Sequence, residues 1–226
     1  MNFKNNKILA IIPARSGSKS IRDKNITLYK GKPLIYHSIK IALKSKLIDR
    51  VVVSTDSKKY QKIALNFGAE VPFLRPKKFS LDFSLDYEFI LHATKYMIKN
   101  NYIPDLIVLL RPSSPNRNID IVDKGINLFL KNLKKYDSMR SVSEFNQPVQ
   151  KFFMIRQKRL KGFFDNRYTG EYHAWPRQHF PKSYLPNGYI DILKPKFFLK
   201  SKKLFGKMFP YLTNYILDID EKKDLI

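Results

Sequence analysis

Two clusters of side chains in this sequence have the types and spacing to do chemistry. The first is Ala14-Arg15-Ser16-Gly17-Ser18-Lys19-Ser20-Ile21-Arg22-Asp23-Lys24-Asn25, directly after the apolar run Ile8-Leu9-Ala10-Ile11-Ile12. Ser16, Gly17 and Ser18 are small enough to let backbone N–H groups approach an anion, and Arg15, Lys19 and Lys24 supply positive charge. The stretch is not a Walker P-loop, which requires Gly where Ser18 precedes Lys19, and it does not satisfy G-x-G-x-x-G. Spacing alone leaves two readings, a phosphate or triphosphate loop and a solvated basic loop. The second cluster is Leu217-Asp218-Ile219-Asp220-Glu221. In an extended segment residues i and i+2 point the same way, so Asp218 and Asp220 share a face while Ile219 turns to the core. Two hard carboxylates there suit Mg²⁺, which bridges phosphate oxygens. The competing reading makes Asp220 the cap of a helix over 221–225.

Those residues need a scaffold that sets them at strand ends. Short apolar runs alternate with helix-period segments, the pattern of βαβ units and a parallel sheet. Residues 7–13 read as a buried strand and 14–25 as the polar loop beyond it. In open α/β sheets ligands bind in the crevice outside the carboxyl ends of the strands. Pro33 opens a helix over 33–46, with Ile35, Ile39, Ala42 and Leu43 on one face. A strand at 51–53, a helix at 58–67, a strand at 70–74 and a helix at 84–99 follow. Then come a buried strand at 105–110, a proline-punctuated loop at 111–118 and a helix at 119–133. After Tyr136 the character changes. Residues 138–143, 151–156 and 159–164 read as shorter, half-exposed strands of a β extension, and 187–193 and 211–217 can rejoin the main sheet. The expectation is one domain over 1–226 with an extension at 138–180 inside it. The apolar run Phe152-Phe153-Met154-Ile155 is one that a single small domain would struggle to cover, which together with the resemblance given below predicts a homodimer.

Composition removes whole classes of function. The chain has 226 residues, 43% of them hydrophobic and 14% aromatic, which excludes a disordered chain. With no cysteine there are no disulfides, thiolate metal sites or cysteine nucleophiles. The longest apolar runs fall far below the ~20 residues of a membrane span, so the expected location is the cytoplasm, without a membrane partner. A net charge of +24 raises nucleic-acid binding as a reading. However, 32 of the 43 basic residues are Lys, spread through the chain and never more than two in succession. That distribution reads as a solvated surface with no specific nucleic-acid partner. The positive field still attracts small polyanions such as nucleotides. His37 and His92 fall within helical segments, His173 and His179 in a loop, and Trp175 reads as a packing residue.

A family resemblance rests on residues in order along nearly the whole chain. Ile11-Ile12-Pro13-Ala14-Arg15-Ser16-Gly17-Ser18-Lys19 with Asp23-Lys24-Asn25 resembles the N-terminal signature of the acylneuraminate cytidylyltransferases, the CMP-sialic acid synthetases. The similarity continues through Gly31-Lys32-Pro33-Leu34-Ile35, Val53-Ser54-Thr55-Asp56-Ser57, and Gly68-Ala69-Glu70-Val71-Pro72-Phe73-Leu74-Arg75-Pro76. It recurs at Leu109-Leu110-Arg111-Pro112-Ser113-Ser114-Pro115, Pro186-Asn187-Gly188 and Asp218-Ile219-Asp220. The resemblance implies an α/β, Rossmann-like nucleotidyltransferase fold with a mainly parallel sheet and a small β extension for dimerisation. It implies Mg²⁺-dependent transfer of CMP from CTP to the anomeric hydroxyl of a sialic-acid-like 2-keto-3-deoxy sugar acid, releasing pyrophosphate. By matching positions, the signature from Ala14 through Arg15, Ser18, Lys19 and Lys24 would hold the nucleotide's triphosphate. Arg75 would lie by the cytosine, and Asn25 and Asn187 near the ribose and sugar. Arg177 and Lys151 would meet the sugar carboxylate, and Asp218 and Asp220 would serve the metal and the attacking hydroxyl. The rivals are a nucleotidyltransferase for an octulosonate or a sugar 1-phosphate, and a basic nucleic-acid-binding module.

The sequence also departs from that pattern. The usual Gly and Pro after the signature lysine are Ser20 and Arg22, and the family's Leu-Leu-Gln-Pro is Leu-Leu-Arg-Pro, with Arg111 in the glutamine's place. Arginine only donates, so Arg111 cannot accept a hydrogen bond from a sugar hydroxyl. Two outcomes follow: Arg111 projects into the substrate crevice and changes the preferred sugar, or it turns aside to pair with an acid such as Asp191.

Overall fold

The computed structural model describes residues 6–225. Strand β1 (Ile8–Pro13) is buried on both faces. Ile8, Ala10 and Ile12 join one apolar cluster while Leu9 and Ile11 join another, as the two-residue alternation of a strand requires. Such a strand needs partners on both edges and helices on both faces. A small hairpin, β2 (Leu28–Tyr29) and β3 (Lys32–Pro33), leads into α1 (Leu34–Lys44), then β4 (Arg50–Ser54), α2 (Lys58–Asn66), α3 (Asp86–Lys99), β5 (Leu106–Leu109) and α4 (Ile119–Asn132). Next come β6 (Ser138–Phe145), a hairpin of β7 (Phe153–Arg156) and β8 (Arg159–Gly162), β9 (Ser183–Leu193), α5 (Pro195–Ser201) and β10 (Met208–Leu212).

The central sheet has six strands in the order β10-β6-β9-β5-β1-β4. All run parallel except β9, which is antiparallel to both β5 and β6. Residues of α1, α2 and α4 pack in the first cluster, and residues of α3 and α5 in the second, so helices cover both faces. The chain passes from β4 on one side of β1 to β5 on the other. That reversal opens a crevice beyond the carboxyl ends of β1 and β5.

Three sequence expectations need correction. Residues 70–74 form no strand beyond a single bridge between Val52 and Glu70, because Pro72 has no N–H to continue a ladder. Residues 138–143 are not half-exposed: β6 sits inside the main sheet between β10 and β9, with Ser138, Met139 and Ser141 buried. Its serines imitate a surface strand but are used internally, the Ser141 hydroxyl accepting the Ile190 N–H at 2.9 Å. The last strand runs from Met208 to Leu212 rather than over 211–217, which leaves Asp218 and Asp220 on an irregular segment. The β7–β8 pair lies outside the main sheet, as an extension would.

Candidate active site

The crevice holds a cavity of about 360 Å³. Pro13 and Arg15 reach it from the end of β1, and Arg111, Pro112 and Ser113 from the end of β5. Ser18, Lys19, Ser20, Lys24 and Asn25 of the first loop line it, as do Arg75, Asp86 and Asp220. Five cationic side chains therefore face two carboxylates, the balance a polyanion requires.

The loop is tied down at several points. Asp56, just beyond β4, accepts both the Ser16 N–H and the Ser16 hydroxyl at 2.9 Å. The Asn25 amide donates to the Arg15 carbonyl at 2.9 Å, so Asn25 braces the loop as well as lining the cavity. Asp23 adopts a left-handed backbone (φ 55°), and its carboxylate accepts from the Tyr60 hydroxyl at 2.9 Å and from Lys59 at 3.2 Å. Those two donors hold the Asp23 carboxyl below the usual carboxylate range. Lys24 pairs with Asp220 at 2.7 Å. Arg15 and Lys19 both pair with Asp82, at 2.8 and 2.6 Å.

Arg75 and Arg111 also line the cavity, and further arginines support them from behind. Arg75 donates to the Ser54 hydroxyl and carbonyl and lies 4.6 Å from the Phe89 ring centroid. Burial pulls its pKa down to about 10. Arg111 reaches the crevice and also turns to acids, Asp191 among them as the second expectation had it. It lines the cavity, yet its fork is committed to Asp191 at 2.8 Å and Asp86 at 2.6 Å. Burial acts to lower its pKa, but the two carboxylates outweigh that and raise it above the ordinary arginine value. Asp191 also receives Arg140 at 3.0 Å, whose guanidinium stacks 4.0 Å from the Phe205 centroid. The buried Arg117 donates to the carbonyls of Arg111, Ser114, Gly188 and Tyr189. Burial draws its pKa down to about 9, still high enough to keep the charge at neutral pH.

Asp218 and Asp220 sit as their spacing predicts. Ile219 is fully buried and donates its N–H to the Ser113 carbonyl at 2.7 Å, which fixes the segment against the loop after β5. Asp218 accepts from the Ser114 hydroxyl at 3.2 Å. Asp220 is not a helix cap: the Asp224 carboxylate accepts the N–H groups of Asp220 and Glu221, leaving the Asp220 side chain to Lys24. A second cavity, of about 330 Å³, is lined by Asn187, Asp218 and Asp220, so Asp220 belongs to both cavities. Gly188 has φ +67°, and a Cβ there would lie 2.8 Å from the Ser114 hydroxyl, so the irregularity within β9, where its register on β6 shifts, needs glycine for conformation and space. Among the described residues, no three acidic or histidine side chains gather to cage a metal. A carboxylate pair beside a basic loop instead fits Mg²⁺, which keeps waters and takes phosphate oxygens as ligands.

The structure thus gathers Arg15, Ser18, Lys19, Lys24, Asn25, Arg75, Arg111 and Asp220 at one cavity, with Asn187 and Asp218 at the next. Ala14 is buried behind the loop, its N–H donated to Ser54. Lys151 and Arg177 line neither cavity. Arg177 lines a separate one beside Glu144 and reaches the Asn146 carbonyl at 3.4 Å. Sequence reasoning included Asp56 in the stretch 53–57 without giving it a role, and missed Asp82, Asp86 and Arg117, none of which stands in a spacing that marks it.

The cytidylyltransferase family profile matches residues 9–101. The chain is 36% identical over 219 residues to an N-acylneuraminate cytidylyltransferase of Escherichia coli, covering 97% of this chain and 49% of that protein. It therefore spans about half the length of that relative. It is 32% identical over 222 residues to a pseudaminic acid cytidylyltransferase of Campylobacter jejuni, covering 97% of this chain and 93% of that one. A solved CMP:2-keto-3-deoxy-manno-octonic acid synthetase complexed with CTP shares the fold, with a TM-score of 0.65 at 15% identity, covering 97% of this chain and 95% of that one.

Proposed function

The chain belongs to the cytidylyltransferase family, and we propose that it transfers CMP from CTP to the anomeric hydroxyl of a sialic-acid-like 2-keto-3-deoxy sugar acid, releasing pyrophosphate. One observation carries the reading: a cavity walled by the phosphate-loop cations meets a second cavity at Asp220. In this reading the triphosphate lies along Arg15, Ser18, Lys19 and Lys24, and the sugar acid enters from the side of Asn187. The sugar oxygen attacks the α-phosphorus, and the bond to the β,γ-diphosphate breaks with its electron pair leaving on pyrophosphate. Asp218 orients the hydroxyl and takes its proton. Arg15, Lys19 and Lys24 neutralise charge on the α-phosphate and the departing group, where positioning and electrostatics do most of the work. Asp218 and Asp220 would hold Mg²⁺, which when bound supplies further positive charge to the phosphate oxygens.

The sugar class is supported by relatives named for N-acylneuraminate and pseudaminic acid. We further propose one cytidylyltransferase domain whose β7–β8 extension pairs two copies. Ile155 and Leu160 in that hairpin are 79% and 69% exposed, an apolar face suited to a second chain. Among the described residues no helix is long and apolar enough to cross a membrane. The proposed location is the cytoplasm, where CTP is available.

The test is pyrophosphate release with CTP and Mg²⁺ against a panel containing N-acetylneuraminate, pseudaminate, an octulosonate and a sugar 1-phosphate. Release with a nine-carbon keto acid, and a melting temperature raised by CTP with Mg²⁺ but not by a random oligonucleotide, is the expected result. Release only with the octulosonate or the sugar 1-phosphate, or with no acceptor at all, overturns the reading.

A further inference from the structure

The two outermost cations of the phosphate loop are already engaged by an anion. Asp82 pairs with Arg15 at 2.8 Å and with Lys19 at 2.6 Å, and Arg15 also approaches the Ser80 carbonyl at 3.5 Å. Asp82 stands in the connection to α3, where Leu81 and Ser84 line the cavity. Packing does not hold this connection in place: Phe83 is 93% exposed, and Leu81 and Leu85 stand out in water as well. Its other polar contacts stay local, from the Leu81 N–H to the Ser84 hydroxyl, from that hydroxyl to the Lys78 carbonyl, and from the Leu85 N–H to Glu88. The Asp82 carboxylate is thus what ties the middle of the segment to the phosphate loop. Lys19 first, and then Arg15, hold its carboxyl below the ordinary range, so it is ionised at neutral pH.

We propose that Asp82 is an internal substitute for phosphate: it occupies Arg15 and Lys19 in the empty site and is displaced by the incoming triphosphate. Nucleotide binding and release of residues 80–85 are then a single exchange of anions. The inference rests on the phosphate-loop reading above but adds a competitor from the chain itself. It also explains why two cations of a strongly basic crevice are paired with an acid whose neighbours are exposed and apolar. Each exposed ion pair contributes little, so the exchange is reversible. While it lasts, the pair keeps other cellular anions off the loop.

The experiment measures dissociation constants for CTP and for inorganic tripolyphosphate with the wild type, Asp82→Asn and Asp82→Glu, at low and high salt. Asp82→Asn should bind both anions about three- to tenfold more tightly at low salt, since two pairs no longer have to break. Asp82→Glu should return toward the wild type, and screening should narrow the difference at high salt. Unchanged or weaker binding by Asp82→Asn overturns the proposal, the weaker case meaning that Asp82 preorganises the two cations. Tighter tripolyphosphate binding with no preference for CTP keeps the exchange and removes the nucleotide assignment. If neither anion binds either protein, both readings fall.

Discussion

The loop at residues 14–25 and the segment at 146–182 contain the same kinds of side chain and use them differently. Both carry Arg, Lys and Asn, and both were expected to touch substrate. The first follows a strand buried on both faces and is clamped by Asp56, Asn25 and the Asp23–Tyr60 bond, so its cations converge on one cavity. The second packs mainly on itself, with Tyr168 stacked on Tyr172 and Trp175 on Phe180, and leaves Ile155, Leu160 and Phe163 in water. Its two candidate contacts, Lys151 and Arg177, line neither cavity of the crevice. The chain's own sheet positions the first region completely. The second leaves apolar side chains exposed, the face that the proposed pairing of two copies would cover.

The sharpest way to break that comparison is Lys24→Ala. The Lys24 side chain is 13% exposed, but it lines the cavity and pairs with an Asp220 that is 72% exposed, so the fold should survive the change. Turnover should fall by about 10²–10³-fold, the scale on which one preorganised charge contact acts in a transition state. Asp220→Ala should lose a similar factor together with its Mg²⁺ response. Near-normal turnover in folded variants would reduce the loop to solvated charge. Next in size is Arg117→Ala, which strands the carbonyls of four residues in the interior. It should cost about 3 kcal/mol or more of unfolding free energy. Arg159→Ala, on the exposed β8, should cost under about 0.5 kcal/mol. Equal denaturation midpoints for the two variants would contradict the contrast.

The same contrast explains what could be read from the sequence. β1, β4 and β5 were legible because strands covered on both faces read as unbroken apolar runs, and the loop at 14–25 was legible because it follows one of them. Asp218 and Asp220 were legible because their i, i+2 spacing survives even without a strand beneath them. β6 was misread because its serines serve an interior hydrogen-bond network, which polarity alone cannot tell from a wet face. Arg117 is invisible for a related reason. Its solvation shell is made of carbonyls brought together from residues 111, 114, 188 and 189, and no local pattern encodes that meeting. Asp82 pairs across 67 residues with Arg15 and reads locally as one more surface acid.

A smaller effect probes the proposed pairing of two copies through the second region. Ile155→Asp with Leu160→Asp places two charges on the exposed face of the hairpin, far from the crevice loop. If two copies bury that face, dimer affinity should weaken by about 100-fold, since charges without partners are costly in a buried contact. CTP affinity should stay unchanged. Sedimentation of the wild type and the double variant decides it. A wild type that is monomeric at micromolar concentration and fully active would leave the segment as a mere appendage.

The smallest predicted effect on the reaction is the most specific. Arg177 is exposed, makes one long contact to the Asn146 carbonyl, and lies apart from the crevice in its own chain. A guanidinium so lightly held keeps its fork for a bidentate carboxylate, such as that of a sugar acid. Arg177→Ala should therefore raise the sugar KM about five- to tenfold, an exposed charge-assisted pair being worth about 1 kcal/mol, and leave CTP binding alone. A wholly structural role would lower the melting temperature without separating the two substrates. The geometry permits a stronger test, because within one chain Arg177 and Lys24 belong to different cavities. If Arg177 serves the partner's crevice, a dimer of one Arg177→Ala chain and one Lys24→Ala chain contains one site with both residues intact. Mixing the two inactive or weakened proteins and allowing exchange should then restore about a quarter of wild-type activity at limiting sugar, because half of the randomly assorted dimers carry one complete site. Activity that only averages the two parents would place Arg177 outside any crevice, and the difference between the regions would then be one of packing alone.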